Sequence, residues 1–205
     1  HDQSSAASDV YKRQVQNSHK VLFHAAAGGV GLIAGQWLKY IGAESIGTVG
    51  SDDKIKLAKD AGYDHVINYN KSNFVEEVAR ITGGIGVDVA YDSVGQATYP
   101  HTLSCLKKFG LFVSFGQSSG VIQDIAMGDL AKNGSLYAQR PTLFDFISSK
   151  ESLKQVSENM FKMLAEGHVK MHINQRYALK DVPKAFEMLM ARKTTGATVF
   201  DVGRG

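Results

Sequence analysis

Residues 25–31 read AAAGGVG, set between the apolar run KVLFH (20–24) and the stretch LIAGQWLKYI (32–41). At a strand-to-helix turn the dinucleotide fingerprint is G-x-G-x-x-G, and each position has its own duty. The matching window here is Ala26-x-Gly28-x-x-Gly31, with alanine first. Alanine can make the tight turn if its φ is negative. Gly28 lets the backbone approach a pyrophosphate, and Gly31 lets the helix pack close against the strand. Amides near Gly29 and Val30 then aim their donors, and the helix dipole, at the anion. The competing reading is a glycine-rich turn that holds no ligand.

The flanks favour a strand and a helix. Residues 20–25 form a short apolar run, as a strand buried on both faces requires. Val30, Ile33, Ala34, Trp37, Leu38 and Ile41 recur at helical spacing, and Gly42 stops them. The alternation continues downstream. Strands are predicted at 45–49, 65–68, 87–91, 111–115 and 135–138. Helices are predicted at 52–61, from a cap at Ser72 or Asn73 to about Thr82, and at 96–106. Strands alternating with helices imply right-handed crossovers and a parallel sheet. The fold class expected is therefore α/β, a doubly wound Rossmann sheet. Beyond it, Leu153, Val156, Met160, Phe161 and Leu164 make a helical stripe stopped by Gly167. A strand at 171–179, a helix from Asp181 and Pro183 carrying Val182, Ala185, Phe186, Leu189 and Met190, and a strand at 198–202 complete an α+β tail.

The second test of the fingerprint lies at the tip of the second strand, where an acid would bind a ribose 2′-hydroxyl and a base would accept a 2′-phosphate. The residues there are Gly50, Ser51, Asp52, Asp53 and Lys54. Ser51 can donate to a phosphate and Lys54 can reach back to it. The two acids read as first-turn residues facing the helix dipole. NADP(H) is the expected cofactor. Gly116-Gln117-Ser118-Ser119-Gly120 also matches G-x-S-x-G, the nucleophile elbow of α/β-hydrolases. An elbow needs a helix directly after the serine, and VIQDIAMGD has no helical stripe. A hydroxyl-rich loop serving cofactor phosphate or nicotinamide is the simpler use.

Composition narrows the classes further. The chain has 205 residues, 43% hydrophobic and 21% charged, which suits a domain with a proper core. Net charge is only +3 and no basic cluster is interleaved with aromatics, so nucleic acid is not an expected partner. No apolar run is long enough to span a membrane. A single cysteine, Cys105, precludes an internal disulfide and suits a reducing compartment, hence a cytoplasmic location. No metal-ligand spacing is present. Residues 1–14 lack any pattern, and Ser4 to Gln14 (SSAASDVYKRQ) matches one reading frame of a transposon-end sequencing adaptor. The native sequence is expected to begin near Val15.

AAAGGVG, INY (67–69), YDSVG (91–95) and SFGQSSG (114–120), in that order, resemble the zinc-independent, zeta-crystallin-like quinone oxidoreductases of the medium-chain dehydrogenase/reductase superfamily. The resemblance implies NADPH-dependent hydride transfer to a quinone or activated enone. It places Gly29 and Val30 at the pyrophosphate, and Gly50, Ser51 and Lys54 around the adenosine ribose phosphate. Tyr69 would sit at the adenosine end and Ser93 near the adenine–ribose crevice. Gly116, Gln117, Ser118 and Ser119 would line the nicotinamide side, approached by Arg140, Pro141, Thr142 and Leu143. It also implies a homodimer through the edge strand at 135–138. Complete relatives begin with a substrate domain built on a small β-barrel. Residues 15–167 would then be the Rossmann domain and 168–205 part of an incomplete substrate domain. No proton donor is assignable among Tyr91, Tyr137, His101 and His168. A related enoyl or enone reductase, and a non-catalytic nucleotide-binding module, are the alternatives.

Overall fold

The computed structural model describes residues 15–203; the adaptor-like segment at 1–14 lies outside the described residues. Six parallel strands form one sheet in the order β3-β2-β1-β4-β5-β6, with β1 Lys20–Phe23, β2 Glu44–Val49, β3 His65–Asn68, β4 Val87–Asp92, β5 Leu106–Ser114 and β6 Tyr137–Gln139. The strand order reverses between β1 and β4, so a crevice opens at their carboxyl ends. The expected doubly wound α/β fold is the observed one.

Alternation along each strand builds a core on both faces. Val21 and Phe23 join Val89, Tyr91, Leu111 and Val113 on one face, under helices α1 (Gly29–Ile41) and α2 (Asp53–Asp60). Leu22 joins Ile46, Ala90 and Phe112 on the other, under α3 (Phe74–Thr82) and α4 (Tyr99–Ser104). Local signals mark several boundaries. Gly42 ends α1 at φ 83°, and its N–H and the next close on the Leu38 and Lys39 carbonyls. Of the two expected caps for α3, Asn73 is the one used: its side chain accepts from the Val75 N–H.

Other expectations shift. The helix predicted over 96–106 contracts to α4, and Leu106 already belongs to β5. β5 starts five residues before the predicted strand because residues 107–110 bulge out of the β4 pairing, with Phe109 at φ 62°. The edge strand lies slightly later than 135–138. Within α1, Leu32 is buried and Val30 is exposed.

α5 (Met127–Lys132) precedes β6, and α6 (Leu143–Phe146) and α7 (Lys150–Ala165) follow it. α7 docks on α1 through Met163, which meets Trp37 and Val169. Only Val156 and Met163 of α7 are buried; Leu153 and Phe161 from the predicted stripe are exposed. β7 (Ile173–Ala178) and β8 (Ala197–Asp201) pair in parallel around α8 (Val182–Met190) as a separate two-stranded sheet. This unit is tied to the glycine turn. The Gly196 N–H donates to the Ala27 carbonyl at 3.1 Å, and Gly28 bridges to Gly196.

Candidate functional site

The glycine turn packs closely at Gly31 and Gly28, and its positive φ falls on Ala25. Ala26 is not among the positive-φ residues; Ala25, exposed just before it, takes φ 57°. A Cβ on Gly31 would lie 2.4 Å from the Ala25 carbonyl oxygen and 2.6 Å from that of Ala26. No side chain fits there without moving α1 off the strand. Gly28 is tight as well, at 3.2 Å from the Ala25 oxygen.

A groove of about 460 Å³ runs along the carboxyl ends of β1 and β2 to the loop after β4. Gly28, Gly50, Lys54, Tyr69 and Ser118 all line it. Its size falls within the range of small-molecule and cofactor sites. Tyr69 packs over Gly50, and its hydroxyl would lie 2.6 Å from a Cβ at that position, so a larger residue would push the tyrosine aside. Asp52 accepts from Asn68 Nδ2 at 2.7 Å and from the Lys71 ammonium. Those two contacts, Lys71 first, hold its carboxyl below the usual range. Asp52 is thus held at the end of β3, and Lys54 lines the groove as a cation.

The tail completes the groove. Leu189, Met190, Arg192 and Thr194 line its open side, and Lys54 Nζ donates to the Arg192 carbonyl at 2.7 Å. These residues, with Ala25 and Val94, are absent from the sequence prediction. No local signal marks them: the ARKTTG run (191–196) reads as an ordinary basic turn until Gly196 is set against the glycine turn. Gly196 sits at φ 55°, and a Cβ there would meet the His172 carbonyl at 2.5 Å.

A second cavity, about 360 Å³, lies beyond β5 and β6. Ser114, Gly116, Gln117 and Arg140 line it with Val121, Ile122 and Ile125. Arg140 Nη1 donates to the Ser114 carbonyl at 2.8 Å, which fixes the guanidinium at the cavity wall. The loop carrying Gln117 and Ser118 separates the two cavities. Several predicted residues face neither. Ser93 packs on Gly116 and accepts from the Ser118 N–H at 3.2 Å; Ser119 Oγ donates to the Val94 carbonyl at 2.7 Å. Thr142 Oγ1 donates to Asp145 at 2.8 Å, and Leu143 is exposed. Pro141, Ser51, Gly29 and Val30 also lie outside the two linings. No helix follows Ser118 until α5, so the nucleophile-elbow geometry is absent.

The family described as zinc-binding dehydrogenase matches residues 29–166, more than half of the chain. The chain belongs to the zinc-binding dehydrogenase family. Among relatives of this family, a quinone oxidoreductase of Salmonella typhimurium is 49% identical over 91% of this chain and 58% of its own length. A 2-haloacrylate reductase of a Burkholderia species is 36% identical over 91% and 56%. The crystal structure of Escherichia coli quinone oxidoreductase complexed with NADPH superposes with TM-score 0.91 at 44% identity, covering 94% of this chain and 60% of that one. The resemblance to quinone oxidoreductases read from the four motifs holds. The chain thus spans less than two thirds of the length of these relatives. Among the described residues no group of three or more His, Cys, Asp or Glu lies close enough together to hold a metal ion. No described helix is long and apolar enough to cross a membrane.

Proposed function

We propose that this chain is the cofactor-binding part of an NADPH-dependent quinone oxidoreductase, which moves hydride to a quinone or activated enone. The observation that carries the reading is the groove: Gly28 and Gly50 leave backbone open, Tyr69 flanks it, and Lys54 and Arg192 bring positive charge while Asp52 is turned away. NADPH, when bound, supplies the hydride. The chain's own residues bind and orient. Gly28, Gly29, Val30 and Gly31 present the turn to the pyrophosphate. Ser51, Lys54 and Arg192 hold the 2′-phosphate, with Gly50 and Tyr69 at the adenosine. The second cavity, with Gly116, Gln117, Ser118, Arg140 and the flanking Pro141, Thr142 and Leu143, receives the nicotinamide end. Residues 168–205 belong to a further, substrate-facing domain, which the separate two-stranded sheet supports. The NADPH complex of the Escherichia coli structure supports the cofactor. The Burkholderia relative supports an activated alkene as a second class of acceptor.

Titration calorimetry of the 205-residue chain with NADPH and NADH, beside Lys54→Ala, tests the reading. A charge-assisted contact is worth about 1.5–3 kcal/mol, so NADPH should bind roughly tenfold or more tighter than NADH. The variant should lose that preference. Equal affinity for both cofactors in the parent chain would refute the phosphate assignment. We also propose a cytoplasmic homodimer joined through the exposed edge of β6, at Tyr137–Gln139; a monomer by sedimentation across micromolar concentrations would remove the dimer.

A further inference from the structure

His24 immediately follows β1, beneath the glycine turn, and is fully buried. Both ring nitrogens are engaged: Nδ1 lies 2.8 Å from Thr48 Oγ1 and Nε2 lies 2.9 Å from Thr102 Oγ1. The Thr102 hydroxyl has one proton, with the Thr98 carbonyl at 2.9 Å and Asp92 Oδ2 at 3.3 Å as acceptors. Donating there, it accepts from Nε2–H, and Thr48 donates to Nδ1. The Thr102 contacts place a proton on Nε2, and burial favours the neutral ring, in which Nδ1 accepts from Thr48. Burial pushes the imidazole below its usual pKa against the opposing pull of Asp92.

Each end of this chain of hydrogen bonds reaches a wall of the cofactor groove. On one side, the Thr48 carbonyl accepts from the Ala26 N–H at 3.0 Å, within the glycine turn, and the next residues, Val49 and Gly50, line the groove. On the other, Asp92 Oδ1 accepts from the Val94 and Gly95 N–H groups at 2.7 and 3.0 Å. Val94 lines the groove, and its carbonyl holds the Ser119 end of the next loop. The ring spans the point where the strand order reverses, tying the β1–β2 side to the β4 side.

We propose that His24 is a positioning residue for the cofactor: its ring fixes the two walls of the groove at the spacing a dinucleotide requires. This rests on the NADPH reading above. Buried networks of this kind lose more than one bond's worth of order when one member is removed. Thr48→Val and Thr102→Val keep the side-chain shape and delete the contacts to the ring; His24→Leu deletes both at once.

The test measures, for each variant of the 205-residue chain, the NADPH dissociation constant well below the melting midpoint, the midpoint itself, and amide hydrogen exchange. Thr102→Val and His24→Leu should weaken NADPH by roughly tenfold, the equivalent of about one hydrogen bond. Exchange at Ala26, Val94 and Gly95 should accelerate by a similar factor while the amides of β5 stay protected. A lowered midpoint with unchanged NADPH affinity and unchanged exchange at those amides would reduce His24 to a core residue and overturn the proposal. If the parent chain binds no NADPH, the functional reading falls, and the exchange data alone still decide whether His24 holds the two walls. Should a His24→Leu chain fail to fold, the two valine variants carry the comparison.

Discussion

Replacing Gly31 by alanine probes the tightest glycine site among the described residues. An ideal Cβ there meets the Ala25 oxygen at 2.4 Å and the Ala26 oxygen and carbon at 2.6 and 2.7 Å. Ordinary van der Waals contact begins near 3.4 Å, so α1 must retreat from the turn by about 1 Å. Its obstacles are backbone atoms, which cannot rotate aside. The retreat loosens Leu32, Ala34 and Leu38, all buried against the sheet, and the Tyr63 hydroxyl, which donates to the Gly31 carbonyl at 2.9 Å. Overpacking typically costs 1–3 kcal/mol, and the backbone obstacle puts this case at about 3 kcal/mol or more. For a chain of this length, roughly 2–4 °C per kcal/mol gives a melting point lower by about 6–12 °C. Differential scanning calorimetry reads it directly. Gly29→Ala is the control: its Cβ would stand 3.2 Å from the Gly196 oxygen, so a few tenths of an ångström suffice. If Gly31→Ala melts within 2 °C of the parent, close helix–strand packing is not what this glycine supplies.

Two further predictions concern buried titratable groups. Burial pushes the Cys105 thiol up to about 12, so the folded chain should leave a disulfide reagent unreacted at pH 8, while the unfolded chain reacts with one equivalent. Rapid stoichiometric reaction of the native chain would contradict that burial. His24 is depressed in the folded state from an unfolded value near 6.5, chiefly by desolvation, with Asp92 opposing. Below pH 6.5 the unfolded chain therefore binds the extra proton and the folded chain does not, so stability is present above 6.5 and is lost as the pH falls. Urea unfolding from pH 8 to pH 5 should show this acid limb, and His24→Asn should flatten it by up to about 1.4 kcal/mol per pH unit. Identical limbs in the two chains would exclude His24 as its source.

Much of the site was legible because its logic is short-range. Gly28 and Gly31 act on a turn within six residues of themselves, and Gly50, Lys54 and Tyr69 follow the tips of consecutive strands. A parallel sheet brings such tips together whatever the side chains between them. What escaped prediction depends on residues far apart in the chain. Lys54 and Arg192, joined by a hydrogen bond, are 138 positions apart. No local pattern shows that Gly196 will lie against the glycine turn, and so none shows that Arg192 and Thr194 will face the groove. Asp52 and Asp53 looked alike in sequence. Only the packing of β3 beside β2 gave Asp52 the Asn68 and Lys71 partners that hold it at the end of β3.

By itself, the amino-acid order determined the parallel α/β sheet, the boundaries of α1 at the glycine turn and Gly42, a cap for α3 at Ser72 or Asn73, and the β3 segment. Those follow from backbone restrictions at glycine, from capping, and from the period of buried residues, each acting over a few positions. Tertiary structure decided which face of α1 and α7 is covered, where α4 gives way to β5, and that His24 is a buried link rather than a surface histidine. Each of these turns on solvent exclusion by elements distant in sequence, since burial and a hydrogen bond's strength are set by what packs around a group, not by its neighbours in the chain.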